Sequence, residues 1–116
     1  MWRCRSCPPV PEDVRHAADV LERRGSMAIV YACHTGATRF NEFARAVGGL
    51  APQTLANRLV QLEDAGLIGR VVLASRPPRA EYRLTQSGRR LAEVLEGALP
   101  LVAHAGSART KPGRLT

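Results

Sequence analysis

The segment bracketed by Pro52 and Gly66 constrains this chain most, because its leucines repeat at helical spacing and the hydrophobic period changes as soon as it ends. Proline lacks an N–H and has its φ preset, so Pro52 suits the first position of a helix. Leu55, Leu59 and Leu62, at offsets of four and three, give that helix one apolar stripe. Gly66 ends it in the left-handed conformation that glycine adopts cheaply. Beyond it, Ile68–Ala74 and Ala80–Thr85 read as strands. The separator Ser75-Arg76-Pro77-Pro78-Arg79 cannot form a tight two-residue turn, so a longer, stiff, basic loop is expected.

Three helices precede this unit. Val14, Ala17, Ala18 and Leu21 recur at helical spacing from Glu12 onward, acids open the segment, Arg23 and Arg24 close it, and Gly25 stops it. Ser26–Cys33 is apolar nearly all round and belongs in the core, with Gly36 at its end. Arg39-Phe40-Asn41-Glu42 opens a third helix with Asn41 as N-cap, and Gly48-Gly49 breaks it. After the strands, Thr85 caps a fifth helix carrying Leu91, Val94, Leu95, Ala98 and Leu99, which Pro100 kinks or ends. Aromatics are only 4% of the chain, so the core is built from Leu, Val and Ala.

At 116 residues there is room for one domain. We expect an irregular arm over residues 1–11, the folded domain over 12–105 and a disordered basic tail over 106–116. The fold class is mainly α with a small β-wing. Helix, helix, helix and two-stranded ribbon make a winged helix-turn-helix, in which the N-terminal end of the second helix of the pair enters a major groove and the ribbon tip reaches phosphates.

Charge agrees with that geometry. The net charge is +7, and from Arg39 to Arg90 nine arginines face four acids. Such an excess points to a polyanion, nucleic acid or an anionic membrane surface, and with the winged helix-turn-helix arrangement double-stranded DNA is the expected partner. No apolar run approaches the roughly 18 residues of a membrane span, and Met1-Trp2-Arg3-Cys4 lacks the apolar segment of a secretory signal, so a cytoplasmic location is expected. His16, His34 and His104 form no ligand spacing, and no nucleophile–base or paired-carboxylate set occurs. Neither an enzyme nor a cofactor or metal protein is expected.

Three blocks are familiar: Arg39-Phe40-Asn41-Glu42-Phe43, the stretch Thr54-Leu55-Ala56-Asn57-Arg58-Leu59-Val60-Gln61-Leu62-Glu63-Asp64-Ala65-Gly66-Leu67-Ile68, and Pro77-Pro78-Arg79-Ala80-Glu81-Tyr82-Arg83-Leu84-Thr85-Gln86-Ser87-Gly88. Together, from about Asp19 to Leu99, they resemble the HxlR-type winged-helix transcription regulators. The resemblance implies a bacterial homodimer, paired through its N- and C-terminal helices, that binds a pseudo-palindromic operator as a repressor. Departures are informative. Where that family has Gly-Gly-Lys-Trp this chain has Glu22-Arg23-Arg24-Gly25, and where it has Ser-Pro-Arg there is Ala51-Pro52-Gln53. Alanine cannot cap, and losing a Ser cap costs about 1 kcal/mol. Asn57 stands where a second arginine is frequent.

Pro52, Gln53, Thr54, Asn57 and Arg58 are accordingly the expected groove-facing residues, with Arg58 outward opposite the leucine stripe, and the amides favour an A·T-containing half-site. Arg76 and Arg79 are expected on phosphates, and Arg39 on the backbone. Leu91, Val94, Leu95 and Leu99 are expected to form the dimer interface. Cys4 and Cys7 form a Cys-x-x-Cys that reads as an ordinary arm, as half a zinc site completed by Cys33, His34 or His16, or as a redox sensor, as N-terminal cysteines are in several members of the resembled family. A small-molecule or oxidant effector fits that last reading. Cys33 is expected to be a buried small hydrophobe. The rival to a DNA-binding regulator is an interaction module that kept the fold while Ala51, Gln53 and Asn57 weakened its recognition helix.

Overall fold

A computed structural model describes residues 7–109. The elements in order are α1 (Glu12–Leu21), α2 (Ser26–His34), α3 (Phe40–Val47), α4 (Pro52–Asp64), β1 (Ile68–Leu73), β2 (Arg79–Leu84) and α5 (Gln86–Arg109). The strands pair antiparallel from Ile68 opposite Leu84 to Leu73 opposite Arg79. Arg79 thus joins the ladder, and the wing loop is residues 74–78.

Ser26, Ile29, Val30 and Ala32 of α2 are buried, as its all-round apolar sequence demands. Around it close Phe43 from α3, Leu55, Leu59 and Leu62 from α4, Ile68 from β1 and Ala92 from α5. Phe43 meets Tyr82 edge-on at 6.0 Å between ring centroids, tying the base of the wing to this core. The Tyr82 N–H also donates to the Thr38 carbonyl (2.8 Å), so β2 leans on the α2–α3 connection as well as on β1.

Two expected caps turn out differently. Thr85 does cap α5: its hydroxyl accepts from the Gly88 N–H (3.1 Å) and donates to the Gly66 carbonyl (2.6 Å), while its own N–H donates to Leu67 O (3.1 Å). Gly88 is buried, and a Cβ there would overlap the Leu67 carbonyl. The first turn of α5 is therefore bolted to the turn that ends α4. Asn41, however, does not cap α3. The helix starts two residues earlier, at Phe40 with Arg39 in the N-cap position, and Glu42 Oε1 accepts from the N–H groups of Thr38 (2.8 Å) and Arg39 (3.0 Å) and from the Thr38 hydroxyl (3.3 Å). A carboxylate in the first turn that reaches back captures orphan donors as well as an N-cap amide would. These bonds, those to the Thr38 and Arg39 backbone first, hold the Glu42 carboxyl below its ordinary pKa.

Pro100 neither ends α5 nor marks its boundary; the helix continues to Arg109, so the expected division at residue 105 falls inside it. An interior proline removes one rung of the ladder, and the turns on either side remain helical. Residues 110–116 of the expected tail and 1–6 of the arm lie outside the described residues; Cys7–Pro11 has no regular structure.

Candidate nucleic-acid interface

At about 100° per residue, Gln53, Asn57 and Val60 fall within about 60° of arc on α4, opposite the buried leucines. All three are exposed. Gln53 Nε2 donates to Asn57 Oδ1 at 3.1 Å, which leaves the Gln53 carbonyl oxygen and the Asn57 amide N–H groups facing outward as one acceptor–donor unit. Pro52 is exposed at the first helical position and Ala51 before it is extended without a side-chain cap, as expected. Thr54 is half-buried on the flank of the helix, apart from the outward stripe.

Arg58 is not directed outward. Its Nε donates to the Arg24 carbonyl at 2.8 Å and its Nη1 to Gln61 Oε1 at 3.3 Å. The guanidinium thus clamps the α1–α2 turn onto the flank of α4. That turn fits closely elsewhere too: Gly25 has φ +92°, and a Cβ there would meet Leu50 Cδ1 at 2.6 Å. Leu50 fills the space beside Gly25. Arg39 sits half-buried at the start of α3, next to the Glu42 cap and off the α4 stripe.

The wing is different. Arg76 and Arg79 are exposed, and among the described residues no hydrogen bond or ion pair engages either guanidinium. The wing loop is held by Ser75, whose hydroxyl donates to Pro77 O (2.6 Å) and whose N–H donates to Leu73 O (2.8 Å). Arg83, farther down β2, is paired with Glu81 at 3.1 Å.

The expected interface residues of α5 divide. Leu91 is partly buried against the core and lines an apolar groove of about 260 Å³ with Val20, Leu21, Ala65 and Leu67. Leu95 is half-buried, whereas Val94 is 68% exposed and Leu99 is also exposed. Leu101, at 78%, Val102, and Val10 and Val14 at the N-terminal end are further exposed apolar side chains that periodicity within α5 alone did not single out.

Cys33 is a half-buried free thiol whose Sγ donates to Tyr82 O at 3.6 Å; burial pushes its pKa up, opposed by a backbone hydrogen bond from Leu84. Cys7 is disulfide-bonded, and Cys4 lies outside the described residues. His34 pairs with Glu96 at 3.4 Å, joining α2 to α5. Among the described residues no group of three or more His, Cys, Asp or Glu side chains could hold a metal ion, and no helix is long and apolar enough to cross a membrane.

Residues 20–107 match the HxlR-like helix-turn-helix family. The chain is 38% identical over 79 residues to the uncharacterized HTH-type transcriptional regulator YvaP of Bacillus subtilis, covering 68% of this chain and 73% of that one. It is 40% identical over 80 residues to the uncharacterized HTH-type transcriptional regulator Rv3095 of Mycobacterium tuberculosis, covering 69% of this chain but only 50% of that protein. Among solved structures, the redox regulator HypR in its reduced form aligns with a TM-score of 0.69 at 31% identity, covering 84% of this chain and 94% of that one. The reduced form of the transcriptional regulator YodB from B. subtilis aligns with a TM-score of 0.69 at 26% identity, over 79% of this chain and 90% of that one. With its winged-helix architecture and this match over most of its length, the chain belongs to the HxlR-like helix-turn-helix family of transcriptional regulators.

Proposed function

We propose that this protein is a repressor that binds a pseudo-palindromic DNA operator sequence-specifically as a cytoplasmic homodimer. The observation that carries the reading is the division of labour between an uncharged, hydrogen-bonding stripe on α4 and an arginine-tipped wing whose Arg76 and Arg79 guanidinium groups have no partner among the described residues. Bases are read by amides in the major groove, and phosphates are held by the wing. Exposed Val10 and Val14 at one end of the chain and Val94, Leu99, Leu101 and Val102 at the other support pairing through α1 and α5, which would remove that apolar surface from water. In such a dimer the two α4 helices would address half-sites about one helical turn, or a multiple of it, apart.

Likeness to HypR and YodB, each solved in reduced and oxidised or diamide-treated forms, supports an oxidant as effector, with Cys4 and Cys7 as the responsive pair. The test is fluorescence anisotropy on the DNA upstream of the protein's own gene, with scrambled DNA as competitor, under reducing conditions and after mild oxidation. Binding that scrambled DNA cannot displace and that changes on oxidation is the expected result. Equal binding to both DNAs at every salt concentration would leave only a basic domain and favour the interaction-module reading.

A further inference from the structure

We propose that Val60 reads the 5-methyl group of a thymine, making it a specificity-determining residue of the α4 surface. The inference rests on the DNA-reading role of α4 proposed above and adds to it the identity of a base. Val60 lies on the same outward stripe as Gln53 and Asn57 and is 53% exposed, although it belongs to a helix whose apolar face is already complete with Leu55, Leu59 and Leu62. Nothing inside the domain needs a valine there. A β-branched residue is a poorer helix former than the lysine, glutamate or glutamine that an ordinary solvated position would carry.

The neighbours of Val60 say what it faces. Gln53 and Asn57, joined at 3.1 Å, present one acceptor and one donor, which is the complement of adenine N6 and N7. The one arginine of α4, Arg58, is spent on the Arg24 carbonyl, so the helix itself does not offer this stripe the bidentate cation that commonly reads guanine. An apolar group in a major groove has one distinctive target, since thymine alone displays a methyl there. At 1.5 Å per residue, Val60 lies about 4.5 Å along the axis from Asn57 and about 10.5 Å from Gln53. With base pairs about 3.4 Å apart, that places the thymine one to three base pairs from the adenine. Asp64, one turn farther on the same stripe, is exposed and acidic, and bounds the reading segment by repelling phosphate.

The experiment begins with in vitro selection of duplexes from a randomised library by the full-length protein. Each thymine of the enriched site is then replaced by uracil, which removes only the methyl group. Wild-type protein should lose about fourfold in affinity at one thymine per half-site, as expected for a buried methyl group. V60A should bind the thymine and uracil duplexes alike, with an unchanged salt slope, and V60T, which keeps one methyl, should fall between. Uracil effects equal in wild type and V60A, or an enriched site with no thymine within three base pairs of its adenine, would overturn the assignment while leaving DNA recognition standing. A library with no enriched sequence would overturn both.

Discussion

Arg58 and the wing arginines carry the same charge to opposite uses. Arg58 lies on the recognition helix, where a cation is most expected to meet DNA, yet its guanidinium holds the α1–α2 turn through the Arg24 carbonyl. Arg76 lies on the wing loop and Arg79 opens β2 beside it, and among the described residues neither guanidinium has a hydrogen-bond or ion-pair partner. The contrast teaches that counting cations on an element says little about what that element contacts. On the proposed reading, the uncharged side chains Gln53, Asn57 and Val60 serve discrimination, and the charge that supplies affinity is placed on the wing, ordered in advance by the Ser75 bonds to Pro77 and Leu73.

The largest effect should come from removing the wing charges. R76A/R79A in a dimer would delete four phosphate contacts, lowering the slope of log affinity against log salt by about 3.6 and affinity itself by about a hundredfold or more. Thermal stability should not move. Anisotropy across a salt series, with a melt of each protein, checks both; an unchanged slope would dissolve the contrast from the wing side.

Next is the internal joint. G88A should lose about 1–3 kcal/mol of stability in chemical denaturation, because a Cβ there collides with the Leu67 backbone carbonyl, which cannot swing aside like a side chain. A neutral outcome would mean that the α4–α5 joint is looser than its geometry. R58A should cost about 1 kcal/mol of stability, the worth of a typical intramolecular hydrogen bond, with the salt slope untouched. A lowered slope without a change in melting would make Arg58 a phosphate ligand and erase the difference between helix and wing.

The smallest effect concerns the α3 cap. Glu42 has a lowered pKa in the folded protein, so its carboxylate stabilises the fold above the ordinary range near pH 4.3 and ceases to do so as pH falls through the lower folded value. Melts of wild type and E42Q should differ at neutral pH and converge in acid. A gap that persists unchanged at the lowest pH would show that the oxygen geometry, and not the charge, supports the cap.

Much of the fold was legible because its signals are local. Pro52 and Gly66 bracket α4, the period change marks the strands to within a residue, and Thr85 caps α5. The wing tip was legible for the same reason, since prolines and arginines on a short loop have nowhere to go but outward. What sequence could not supply depends on neighbours distant along the chain. Periodicity ranks Arg58 as off the core stripe, but the carbonyl that captures it is 34 residues away. The same limit divided Leu91 from Val94 on α5, because the inward side of that helix is chosen by where α1 and the end of α4 lie. Val60 was passed over because a single exposed valine looks unremarkable until its companions on the stripe are known. Asn41 lost the cap to a carboxylate one residue on, a competition between two equally plausible local acceptors.

The bolt that Thr85 and Gly88 make to the end of α4 has a mechanical consequence. Because α5 leaves that joint as 24 helical residues, it acts as a lever about 36 Å long whose short end carries the proposed reading surface. A tilt of only about 5° where two such levers cross would displace each reading head by about 3 Å, close to one base-pair step. A chemical event too small to disturb either domain could thereby put two half-sites out of phase.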